Sequence, residues 1–114
     1  MSLREDIIKI VDIPEKTVKV KEWGGKIITI RGLTAGERLL AGQQVVDKDD
    51  PLEYALRLVV LAVRNPKTGE REFTEGDIPL LRDRSAKVID MIRDVVLDLS
   101  SGGAADLEQA EKNS

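Results

Sequence analysis

The sequence predicts an α+β fold: a short N-terminal helix and one antiparallel β-hairpin, about residues 17–31, packed against about four helices. Three observations carry this. Residues 17–31 alternate apolar and polar on either side of Trp23-Gly24-Gly25, the period of a half-buried strand pair. Helix-start signals stand at Ser2, Thr34 and Asp50. A last segment, 86–100, places Val88, Ile92, Val95 and Leu99 at helical steps.

Ser2 and Glu5 fit a capping box, in which a hydroxyl and a carboxylate three residues on satisfy each other's orphan amides. The helix predicted there covers about 3–11, although its isoleucines also suit a strand, and Pro14 ends it. In the hairpin, a two-residue loop at Gly24-Gly25 places Val20 opposite Thr29. A three-residue loop, Trp23-Gly24-Gly25, places Val20 opposite Ile28 and Val18 opposite Ile30. The second register keeps Val18, Val20, Ile28 and Ile30 on one apolar face and is therefore expected. Lys19, Lys21 and Thr29 occupy the other face, with Ile27 as a misfit.

Thr34 and Glu37 form a second capping box that opens a helix to about Asp47. Gly36 and Gly42 each weaken it by about 1 kcal/mol relative to alanine, so it leans on tertiary contacts. Asp50, Pro51 and Glu53 supply an N-cap, a proline at the first helical position and an acid in the first turn of a helix over about 51–64. Its run Leu58–Val63 is unbroken and apolar on all sides, so it is the central core helix or one side is covered by a partner. Residues 65–71 read as a turn, with a small second hairpin ending at Phe73. A helical turn begins at Thr74 and runs through Ile78, Leu80 and Leu81; Ser85 caps the last helix. The expected domain spans 1–101, and the small polar residues 102–114 form a flexible tail.

A chain of 114 residues corresponds to one domain. It has no cysteine and no histidine, which removes disulfides, thiolate metal sites and the commonest general base. The net charge of −3 argues against a generic binder of phosphate backbones, and a small acidic regulator that binds or mimics nucleic acid lacks basic stripe and stacking aromatics. No apolar run reaches the roughly 20 residues a bilayer requires. The chain is expected to be soluble and to remain where it is made.

No reaction centre is legible. Asp47, Asp49, Asp50 and Glu53 lack the glycine and the alternating oxygens of a calcium loop. Asp90, Asp94 and Asp98 form an acidic row on the last helix, read as its wet face. Gly24-Gly25 lies between antiparallel strands and lacks phosphate-loop spacing. Ser2, Ser85, Ser100 and Ser101 have no histidine to activate them. The expectation is no enzyme, no catalytic residue, no cofactor and no metal. Trp23 either packs back onto a helix, the commoner fate, or waits for another chain, as tryptophans at binding hot spots do.

The run from Val18 through Glu22, Trp23, Gly24 and Gly25, followed by Ile28, Ile30, Arg31, Gly32, Leu33, Thr34, Glu37 and Arg38, resembles the N-terminal signature of tail assembly chaperones from long-tailed (siphovirus-like) bacteriophages and prophages. Asn65, Gly69, Phe73, Asp77, Leu80, Leu81 and Ser85 extend the likeness over about residues 5–101. Lys21 departs from it, since a proline is expected before Glu22 and Trp23. The resemblance implies a small protein that binds the tape measure protein, keeps it soluble, and is displaced as the tail tube polymerises. It implies residence in the bacterial host cytoplasm and absence from the mature virion. Trp23, Arg31, Arg38, Leu58, Leu61 and Phe73 are the partner-binding candidates. Tail tube protein and further copies of the chain are the additional partners the resemblance admits; nucleic acid and membrane are not expected. The family often produces a longer form by ribosomal frameshifting, and the triplets GAA-AAA-AAC, which would encode Glu111-Lys112-Asn113, contain a slippery heptamer. The alternative is a structural head–tail or tail completion protein retained in the virion.

Overall fold

The computed structural model describes residues 2–10 and 12–101. The expected tail and the Glu111–Asn113 codon reading lie outside them. The described residues form an α+β fold: a three-stranded antiparallel sheet, β1 (Glu15–Val20), β2 (Lys26–Arg31) and β3 (Val63–Arg64), with five helices. These are α1 (Leu3–Ile8), α2 (Ala35–Gln44), α3 (Pro51–Ala62), α4 (Ile78–Arg82) and α5 (Ala86–Ser101).

The hairpin keeps the expected apolar face but shifts its register by two residues. Val18 faces Ile28, Lys16 faces Ile30, and Val20 faces Lys26. The cause is the loop. Lys21–Trp23 winds into a single 3₁₀ turn, closed by Gly24 and Gly25 at φ of 70° and 75°. The Gly25 amide donates to the Val20 carbonyl at 3.0 Å, so the loop consumes five residues rather than three. Both glycines sit where a Cβ is penalised. An even shift preserves which side chains face inward.

The third strand was not foreseen. Val63 and Arg64, expected as the end of α3, peel away to pair with Ile30 and Thr29 on the open edge of β2. The chain then turns on Asn65, whose side-chain oxygen accepts from the Lys67 and Thr68 amides, and Gly69 at φ 75° returns it. Arg64 thereby bridges to Arg71, giving the small second hairpin before Phe73.

Helix α3 is the centre of the core. Leu56, Leu58, Val59 and Ala62 are fully enclosed, with α5 on one side and α2 and α4 on others. Of the two expected alternatives, α3 is the central core helix, and the binding candidates Leu58 (0% exposed) and Leu61 (4%) are interior residues. Helix α5 offers Val88, Ile89, Ile92 and Val96 to the core, while Val95 and Leu99, expected on the buried stripe, are half-buried. Asp90, Asp94 and Asp98 face outward, with Arg93 paired to the first two.

The acidic linker between α2 and α3 is knitted to itself. Glu53 accepts from the Val46 and Asp47 amides and from Arg57, and Asp50 caps α3 through the Leu52 amide. The amide bonds from Val46 and Asp47 hold the Glu53 carboxyl below its ordinary pKa.

Where β2 leaves for α2, the end of α5 passes close by. The Leu33 amide donates to Ser100 Oγ at 2.9 Å, and Ser100 Oγ donates to the Val96 carbonyl. A Cβ at Gly32 would lie 3.3 Å from the Leu99 backbone. Because backbone cannot swing aside, Gly32→Ala is expected to cost about 1–3 kcal/mol. Urea denaturation measures this, and unchanged stability would mean that the end of α5 yields freely.

Candidate functional site: an apolar band and an arginine cluster

The surplus apolar surface lies away from α3. Trp23, at the hairpin tip, packs edge-on against Phe73 with ring centroids 6.1 Å apart and planes at 76°. Both rings rest half-buried on the core. The indole N–H is covered and has no acceptor, so the ring is held by packing alone. On one side the pair borders a recess of about 300 Å³ shared with Leu80, Leu81, Glu22 and Arg84. On the other it borders an open groove with Ile27, Lys26 and Lys67. Ile27 is 55% exposed and Leu80 50%. Together these four side chains form a band in which a ridge of aromatic rings separates two shallow concavities. Such a surface suits the apolar stripe of another chain.

The second feature is electrostatic. The Glu37 carboxylate, held at the start of α2 by its capping box with Thr34, receives Arg31 at 2.9 Å and Arg64 and Arg71 at 3.5 Å. Arg31 and Arg64 project from adjacent strands on the face opposite the core, and Arg71 arrives through its bridge to Arg64. Burial alone would raise the Glu37 pKa; the Thr34 amide and the guanidiniums of Arg31 and Arg64 overcome it and hold the carboxyl below its ordinary value. Burial lowers the Arg64 pKa, with Arg31 adding repulsion.

The six partner-binding candidates therefore separate. Trp23 and Phe73 meet; Arg31 joins the arginine cluster; Arg38 stands exposed on α2, beside Leu39 and near Ser100. Leu58 and Leu61 are core. Arg64, Arg71, Ile27 and Leu80 were missed. Arg64 and Arg71 were findable, because pairing the hairpin across Asn65–Gly69 sets them opposite each other.

No protein-family model and no curated protein sequence matches the chain. Among solved structures, it is similar to the tail assembly chaperone of bacteriophage HK97, with a TM-score of 0.63 over 84% of this chain and 89% of that one, at 21% identity. The chain has that chaperone's fold. The likeness spans most of both molecules.

Proposed function

We propose that the protein is a phage tail assembly chaperone that binds a tape measure protein, keeps it soluble, and is displaced as the tail tube polymerises. The observation that carries this reading is the fold shared with the HK97 chaperone over most of both chains. The exposed band of Ile27, Trp23, Phe73 and Leu80 supplies the means, since it can cover apolar helical stripes on a longer client. Many copies along one client give avidity while each contact remains easy to release. In this reading the protein works in the host cytoplasm, catalyses no reaction, and leaves before the virion is complete.

Co-expression with the tape measure protein is the test. The client should be soluble with this chain and insoluble without it. The paired variant Ile27→Ser and Leu80→Ser should lose that rescue, while its own stability changes by no more than about 0.5 kcal/mol per surface site. Client solubility independent of this chain defeats the proposal. Detection of the protein in purified virions by mass spectrometry would support the structural tail component instead.

A further inference from the structure

Three guanidiniums share one carboxylate at Glu37, and among the described residues Arg31, Arg64 and Arg71 have no other acidic partner. Arg31 Nε and Arg64 Nε are covered and lack acceptors, so the cluster has more donors than it can satisfy. Arg71 is 46% exposed and Arg31 27%, which leaves their outer nitrogens reachable from solvent. Like charges gathered on a partly buried face repel, and a second anion relieves them.

Arg71 also forms one wall of a recess between α2, α3 and α4 whose apolar lining includes Leu40, Val60, Leu61 and Ile78. Leu40 is 42% exposed and Ile78 half-buried. Across the recess Glu75 is held by Gln44 at 2.8 Å, which gives the recess an acidic end as well as a basic one. A cation, an apolar strip and an acid side by side constitute a polarity.

We propose that this surface docks an amphipathic helical segment of the client that carries a carboxylate beside its apolar stripe, with the carboxylate against Arg31 and Arg71 and the stripe against Leu40 and Ile78. This rests on the chaperone reading and adds the chemistry and orientation of what is recognised. Charge complementarity selects the occupant. A phosphodiester would gain nothing from the apolar strip, and no aromatic side chain lines the recess for a base to stack on.

The probe is a dye-labelled Leu/Glu amphipathic helix of about 20 residues, compared with Leu/Gln and Leu/Lys counterparts and a single-stranded oligonucleotide. The acidic peptide should bind at low salt and weaken as salt rises. Arg71→Glu should weaken it by about tenfold or more, and Lys48→Glu, the same charge change on an exposed linker residue, should leave it unaltered. Equal binding of the neutral peptide, tighter binding of the oligonucleotide, or no effect of Arg71→Glu would each overturn the proposal. Concentration-dependent self-association that Arg71→Glu abolishes would also overturn it, assigning the surface to a second copy through the row Asp90, Asp94 and Asp98. In co-expression, a client rescued equally by the wild type and by Arg71→Glu would defeat this surface while leaving the chaperone reading intact.

Discussion

Leu58→Ala should lower the free energy of unfolding by about 2–5 kcal/mol, the range for truncating an enclosed leucine whose neighbours close only part of the cavity. Leu58 has no exposed surface, and it lies in the stretch of α3 that is covered from Leu58 to Ala62. A domain of this size commonly has only about 5–15 kcal/mol in total, so the variant approaches the threshold of folding. Urea denaturation should show the midpoint falling with little change in slope, which marks lost stability rather than an altered unfolded state. The experiment also discriminates between roles. A leucine reserved for a client would leave the isolated domain as stable as before, and a loss below about 0.5 kcal/mol would return Leu58 to the binding surface.

Glu37→Gln should cost about 2–3 kcal/mol at neutral pH, somewhat below the range for breaking a fully buried pair because the side chain keeps 15% of its exposure. The substitution leaves an acceptor for the Thr34 amide but removes the sole negative charge among Arg31, Arg64 and Arg71. The effect depends on pH in a defined direction. A carboxyl whose folded pKa lies below its unfolded value of 4.5 contributes stability above that value and loses it as pH falls through the lower folded one. The gap between wild type and Glu37→Gln should therefore be widest above pH 4.5 and narrow with acid. Glu53, also shifted downward, adds its own acid sensitivity to both proteins and cancels in the difference. Thermal unfolding measured across this range checks the slope; a gap constant with pH would mean that Glu37 stabilises by shape and not by charge.

Most elements were legible because each is announced locally. Thr34 with Glu37, Asp50 with Pro51, and Thr74 with Asp77 open α2, α3 and the turn before α4 as their spacing predicts. The hairpin's inward face followed from alternation, yet its register did not. Alternation fixes only whether the shift is odd or even; the conformation of Lys21–Trp23 set the rest. The end of α3 was misjudged for a different reason. Val63 is as apolar as the residues before it, and only the free edge of β2 draws it into a strand. The site was harder to read. Apolar runs mark what folds inward first, so Leu58 and Leu61 are interior, whereas the exposed apolar residues Ile27 and Leu80 carry no periodic signal of their own. Arg64 and Arg71 follow from the local turn at Asn65–Gly69, but their meeting with Arg31 and Glu37 depends on the β2–β3 pairing, which no single segment reveals.

The bond from the Leu33 amide to Ser100 Oγ joins positions 67 residues apart. It sets a constraint on synthesis. A nascent chain emerging from the ribosome presents β1, β2 and α2 early, but the corner between β2 and α2 has an amide awaiting an acceptor translated 67 residues later. The same late helix supplies Val88, Ile89, Ile92 and Val96 to cover α3. Maturation is therefore vectorially delayed: the earlier segments wait for α5, and a truncation that removes it releases a polypeptide whose greasiest helix is uncovered on the side that α5 packs.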